Sequence, residues 1–291
     1  MLTLPSGSSR ADASHAQLAS YYDRHAALID GTVFGWDGAA HPRRLRGGIL
    51  QVAVSRDAWY GVTSAGELSR WSAPEPAAAV VLQRGVARVA AGASGWIALD
   101  RDGSAWQAGS NDVAVRVMAD VLDAAVGDSA DYLVTRDGRV HVRGLAHRGQ
   151  YGDGLLRATP DYVATATDAV AVRAHTGHAV LLRRDGTAMG TGGNRFGPLS
   201  AHGLGDKADR WGPIFQEAVA IATGSRHTLA LRADGSLWAW GDGFAIQPAR
   251  LMERVRAVAA GDSATIALDA QGVLWQWDAG HGPRRLTLPA G

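Results

Sequence analysis

Along most of the chain, apolar residues alternate with polar ones or run in blocks of about four to six, each closed by Gly, Asp-Gly or Pro. Alternation at a period of two marks a strand with one covered face, so the units predict short strands and not helices. The clearest unit runs Ala218-Val219-Ala220-Ile221-Ala222-Thr223-Gly224, then Ser225 to Arg232, a turn at Ala233-Asp234-Gly235, and Ser236-Leu237-Trp238-Ala239-Trp240-Gly241. A second copy follows from Val255, with Gly261 and Gly272 in the same places and Trp275 and Trp277 after the turn. Asp-Gly between apolar runs predicts a tight hairpin of type I′, which needs positive φ at both central residues. It occurs at Asp30-Gly31, Asp102-Gly103, Asp137-Gly138, Asp185-Gly186 and Asp234-Gly235.

Aligned on their turn glycines, Gly31, Gly66, Gly103, Gly138, Gly186, Gly235 and Gly272, the units recur at spacings of 35, 37, 35, 48, 49 and 37 residues. A repeat of this length means a solenoid, an array or a propeller. The small residues ahead of each hairpin, as in Val89-Ala90-Ala91-Gly92, suit a strand beside a crowded axis. The strand after the hairpin carries bulk, at Trp36, Trp71, Trp106, Trp238, Trp240, Trp275 and Trp277, which predicts packing between blades. Pro42, Pro248 and Pro283 introduce a last segment, and proline belongs on an outer edge or a crossing loop. The fold class is therefore all-β, a seven-bladed β-propeller of short antiparallel sheets, with residues 1–16 as a polar N-terminal segment and 17–291 as one propeller. Strands near the two termini are expected to share a blade so that the ring closes.

The run Gly-Ser-Arg-His-Thr-Leu-Ala-Leu-Arg-Ala-Asp-Gly-Ser-Leu-Trp-Ala-Trp-Gly (224–241) resembles the regulator of chromosome condensation repeat. Its tail is echoed in Gly193-Asn194-Arg195-Phe196-Gly197-Pro198-Leu199 and in Arg148-Gly149-Gln150-Tyr151-Gly152-Asp153-Gly154. The resemblance spans roughly 17–291. Unit one departs from it by lacking two residues between His25 and Asp30, and unit two by Ala65 in place of the turn aspartate. The compact units are similar to those of bacterial members such as the propeller-type β-lactamase inhibitor protein. That resemblance implies binding of a protein target through loops on one face, and some members of the family exchange guanine nucleotides on small GTPases.

The loop leading out of the small-residue strand should recur seven times on one rim. It carries Tyr22, Asp23, Arg24, Arg56, Asp57, Trp59, Trp96, Asp128, Asp131, Arg226 and Asp262. Tyr and Trp beside Arg and Asp is the composition of a protein-binding hot spot, with Trp59 and Trp96 expected side by side at the channel mouth. The competing reading makes both tryptophans oversized strand residues packed between blades. Segments 144–168 and 191–217 are the candidate insertions.

Charge and composition narrow the function. The chain has 29 basic and 28 acidic residues and a formal charge of +1, which lacks the basic footprint of a nucleic-acid or anionic-membrane binder. There is no cysteine, so disulfides, thiolate metal sites and a cysteine nucleophile are excluded. Residues 1–10 lack the apolar core of a secretory signal, and no apolar run approaches the ~20 residues of a spanning helix, which reads as a cytoplasmic protein. His175 and His178 are three apart with no recurring third ligand; the repeat histidines, His25, His178 and His227, are expected to bond the blade backbone. No nucleophile, base and orienter converge. The expectation is a non-enzymatic, monomeric, cofactor-free propeller that acts as an inhibitor, immunity protein or scaffold and binds a protein partner, neither nucleic acid nor membrane. An exchange factor or a glycan-binding propeller remains the alternative.

Overall fold

The structure, a computed structural model, describes residues 16–72, 78–109, 111–200, 205–278 and 281–289. Apart from Ala16, the expected N-terminal segment lies outside the described residues. Every regular element described is a strand, and the strands form seven four-stranded sheets. Each sheet is an antiparallel meander of consecutive strands, in residues 16–46, 49–83, 86–118, 121–166, 169–215, 218–252 and 255–286. The sheets stand as blades around a channel of about 370 Å³ lined by the first strand of every blade, so the small residues do face the axis. Their size is what allows seven inner strands to approach one another.

The prolines precede the outer strands Arg43–Arg46, Ala249–Met252 and Arg284–Leu286, where no further strand needs an amide. Both longer units spend their extra residues on nine-residue outer strands, Ala158–Ala166 and Lys207–Phe215, and on the loops that lead into them.

Four of the five Asp-Gly hairpins differ from expectation. Only Asp30-Gly31 has positive φ at both positions (48° and 78°). Elsewhere the glycine alone is left-handed, as at Gly138, whose amide donates to Thr135 O (2.8 Å) while Thr135 N donates to Arg139 O (2.9 Å). This is a type I turn closed by a glycine bulge, one residue longer than a type I′ turn. The aspartate stays in the right-handed region, and its carboxylate accepts the amide beyond the glycine, as Asp185 does from Thr187 N (2.9 Å). In six blades the turn glycine's carbonyl also accepts the first amide of the next inner strand, from Ile49 on Gly31 O (3.0 Å) to Val255 on Gly235 O (2.9 Å). One tight turn thereby ends a hairpin and launches the following blade.

Among the described residues the buried core divides into seven clusters, each between consecutive blades. Trp36, Trp71, Trp240 and Trp277 are buried there, and Trp106, Trp238 and Trp275 are half-buried. The termini do not share a blade. Blade 1 uses residues 16–46 and blade 7 residues 255–286, and the ring closes by packing of Leu18, Ala27 and Trp36 on Ile266, Leu268 and Leu274. Polar clasps complete that seam: Trp36 Nε1 donates to Gln276 Oε1 (2.9 Å), Gln276 Nε2 to Gly38 O (3.1 Å) and Asp262 N to Tyr22 O (3.0 Å). Each repeat supplies a whole blade, so closure needs no borrowed strand.

At the end of the inner strands the blades meet backbone to backbone. A Cβ on Gly92 would lie 2.3 Å from Val126 O, and one on Gly224 would lie 2.4 Å from Gly261 O. A main-chain carbonyl cannot yield as a side chain can. Gly92→Ala and Gly224→Ala should each lower stability by about 2 kcal/mol or more in urea unfolding. Gly282→Ala, where a Cβ meets nothing within 4 Å, should stay within about 0.5 kcal/mol.

Candidate functional site

In a four-stranded meander, the turn after the first strand and the turn after the third lie on the same face. That face therefore carries the seven rim loops read from the sequence together with loop 146–157 and the described residues 194–200 and 205–206 of the second long loop. The rim residues divide by register into those that project from the face and those that turn into the ring.

Trp59 and Trp96 turn inward and are fully buried, which corrects the expected aromatic rim. They lie in different cores, Trp59 between blades 1 and 2 and Trp96 between blades 2 and 3. Trp59 Nε1 donates to His25 O (3.1 Å), and Trp96 Nε1 donates to Asp112 Oδ1 (3.1 Å). The cause is the period of two. In blade 6 the repeat histidine, His227, faces the next blade, and the following residue, Thr228, faces the previous one. His227 Nε2 is accordingly 3.0 Å from Thr265 Oγ1, and His178 Nε2 is 3.1 Å from Thr228 Oγ1. Trp59 and Trp96 take the Thr228 position and fill the junction that the threonine bridges elsewhere. Asp131 takes it too; it is buried and accepts from Ser94 Oγ (2.9 Å) and Gln107 Nε2 (2.6 Å). Burial raises the Asp131 pKa, and the hydrogen bonds from Ser94 and Gln107 and the charge of Arg143 oppose the rise. Asp131 is thus a blade clasp and not a rim contact. The repeat histidines bond side chains of the neighbouring blade, or Ser20 Oγ in the case of His25 (2.8 Å), where bonds to backbone were expected.

The predicted Tyr22 and Asp128 close the channel mouth together with Tyr21, which the sequence reading did not single out. Tyr21 and Tyr22 reach across from blade 1 to blade 4, where both hydroxyls donate to the Asp128 carboxylate, Tyr22 at 2.5 Å. Tyr21 stacks on His175 (4.5 Å between centroids), and its hydroxyl accepts from Ala93 N (3.0 Å). Tyr22 holds a left-handed φ of 51°, an uncommon conformation for a bulky residue, and Arg56 lies 4.2 Å over its ring. Burial and the Asp128 carboxylate both push the two phenol pKa values up, so both remain hydroxyl donors at neutral pH. Arg24 pairs with Asp37 (3.0 Å) and roofs the buried Trp59 ring at 4.2 Å. Asp23 and Asp57 are exposed on the rim.

Arg226 and Asp262 belong to a cleft of about 220 Å³ beside the plugged mouth, shared with Tyr22, Arg148, Arg195 and Phe196. Phe196 is 41% exposed and packs against the guanidinium groups of Arg226 (5.0 Å) and Arg195 (5.8 Å). Arg226 also pairs with Asp242 (3.1 Å). Phe196, Arg195 and Arg148 were not among the predicted site residues, although both repeat tails containing them stood out. Asn194 ties one tail down by accepting Leu199 N (2.9 Å), and Gln150 ties the other by accepting Arg148 N (2.9 Å). In each tail the residue before a left-handed glycine, Phe196 before Gly197 and Arg148 before Gly149, points into the cleft. Among the described residues no group of three His, Asp or Glu side chains is placed to hold a metal.

Seven small-stranded blades with this loop face define a repeat propeller. Residues 218–247, which are most of blade 6, match the family model of the regulator of chromosome condensation (RCC1) repeat. The chain is a seven-bladed β-propeller carrying that repeat. It is 29% identical over 120 residues to the ultraviolet-B receptor UVR8 of Arabidopsis thaliana, covering 38% of this chain and 27% of the receptor. It is 31% identical over 134 residues to the secretion-regulating guanine nucleotide exchange factor of Bos taurus, covering 43% of this chain and 28% of that protein. The matched stretches therefore span little more than a quarter of the length of these relatives. The fold is also that of Prp20p from Saccharomyces cerevisiae, with a TM-score of 0.70 at 15% identity over 84% of this chain and 80% of Prp20p. These relatives are eukaryotic, and they lend no support to the resemblance to bacterial inhibitor propellers.

Trp59→Ala and Trp96→Ala should each cost about 3–5 kcal/mol of folding stability, read from urea unfolding. A second expectation concerns acid. Burial lowers the pKa of His25, His178 and His227 from 6.5 to about 3 and that of His175 to about 4. Above pH 6.5 these groups are neutral both folded and unfolded, and their environment costs nothing. As pH falls from 6.5 towards 3, only the unfolded chain takes up the protons, so stability drops through that window. The melting temperature should be flat from pH 7 to 8 and fall steadily below 6.5, with a shallower fall in His227→Gln.

Proposed function

We propose that this chain is a non-enzymatic, monomeric protein-binding propeller, an inhibitor, immunity or scaffold protein, that engages a protein partner through the loop face around the plugged mouth. The observation carrying this reading is the exposed Phe196 ring packed between Arg195 and Arg226 and set in a cleft beside Tyr22. Aromatic and arginine side chains dominate the energetics of protein interfaces, and here they are held by tied-down loops and lose little entropy on binding. Prp20p, which shares the fold, has described binding properties towards Gsp1p and histones, which supports a protein partner in general. The glycan alternative rested on rim tryptophans that are in fact buried. Nucleotide exchange is the second reading, favoured by the 134-residue match to the bovine exchange factor.

The absence of cysteine makes the test direct, because single cysteines can carry a photo-crosslinker. A crosslinker at Asp23→Cys on the loop face should capture a discrete protein from native extract, and one at Arg101→Cys on the opposite face should not. Phe196→Ala should then weaken binding of the purified partner about 30-fold, corresponding to ~2 kcal/mol. Capture from the Arg101 face alone would refute the reading. Accelerated nucleotide release from a captured GTPase would move the assignment to exchange.

A further inference from the structure

The loop-face cleft is strongly biased in charge. Its walls present three guanidinium groups, Arg148, Arg195 and Arg226, against the carboxylate of Asp262, and a second carboxylate, Asp242, pairs with Arg226 from beside the cleft. Among the described residues, Arg148 and Arg195 are exposed and make no ion pair, so their charge is not spent within the fold. The guanidinium carbons of Arg195 and Arg226 lie 5.8 and 5.0 Å from the centre of the Phe196 ring. With no ion pair of their own, Arg148 and Arg195 keep guanidinium edges that match a carboxylate with two parallel hydrogen bonds, whereas one edge of Arg226 is already held by Asp242 (3.1 Å). Apolar surface adjoins the charge: Phe196 is 41% exposed, and Ile246, 64% exposed, lies against Gly197 at the foot of the same loop.

We propose that the cleft between blades 4 and 7 receives an acidic segment of the protein partner, with aspartate or glutamate side chains on Arg148, Arg195 and Arg226 and an apolar neighbour on Phe196 and Ile246. This inference rests on the reading that the loop face binds a protein, and it names the chemistry of what is bound. A peptide fits better than a nucleic acid. The basic groups line one cleft of about 220 Å³ with acidic and apolar residues beside them, whereas a phosphate backbone needs an extended basic track. A net charge of +1 over the whole chain provides no such track.

The test is panning of random peptides displayed on phage against the purified full chain, followed by affinity measurements with the recovered peptides. Enrichment in Asp and Glu is expected, with binding that weakens as salt rises. Arg148→Glu and Arg195→Glu should each lower affinity by about tenfold or more at unchanged melting temperature. Arg101→Glu, the same charge change on the opposite face, should alter it by less than about twofold. Recovered peptides without acidic enrichment would overturn the inference, and so would acidic peptides as sensitive to Arg101→Glu as to the cleft variants. Displacement of the peptide by random single-stranded DNA at a lower concentration than by a glutamate-rich peptide would assign the cleft to phosphate instead. If Asp23→Cys captures a partner while panning yields no acidic sequences, the loop-face reading stands and the acidic one falls.

Discussion

Each blade holds its neighbours by its two faces and by the ends of its inner strand, and at the loop-face end the spacing is set by a carbonyl. Where Gly92 and Gly224 sit, the next blade's backbone oxygen occupies the space that any Cβ would need. A larger residue would wedge the blades apart at the radius where the ring is narrowest, and the error would be carried around seven junctions. The glycine of the Gly-x-x-His motif is therefore a spacing element. The turn glycines act at the opposite face, where six carbonyls each take the first amide of the following blade.

With the spacing set, every junction needs a filler that also satisfies buried polar atoms. The repeat answers with a histidine bridging to a threonine of the next blade, as at His178–Thr228 and His227–Thr265. Blades that depart from the repeat use other means at the same height: Trp59 on the His25 carbonyl, Trp96 on Asp112, and Asp131 held by Ser94 and Gln107. These substitutions are alternative solutions to one packing problem. Inward and outward roles are thereby separated within a few residues of chain, because inward positions clasp the blades and outward positions face solvent.

The loop face uses its outward positions unevenly. Tyr21, Tyr22 and Asp128 close the channel from opposite sides of the ring, which leaves the channel blocked at the end where the loops gather. The longer third-to-fourth-strand loops of blades 4 and 5 raise walls beside the plug, and two side chains before left-handed glycines project between them. The projecting aromatic and basic side chains are then concentrated on one sector of the rim and not spread evenly over seven equivalent loops.

Much of this was legible in the chain itself. Strand period, turn glycines, small inner strands and the proline-led outer segments are local properties, and local sterics decide them wherever the segment sits. Repetition converted that local information into seven blades, since one repeat cannot bury its own faces. The facing of single side chains was not local. Trp59 and Asp57 are two residues apart, yet one fills a core and the other meets solvent, and the choice depends on which neighbouring blade lies against that strand. Arg148, Arg195, Phe196 and Arg226 come from three loops of three blades, and their convergence exists only once the ring has closed. Sequence determined the repeat because a strand and a tight turn are decided by adjacent residues; the site awaited tertiary structure because its parts are neighbours across blades and not along the chain.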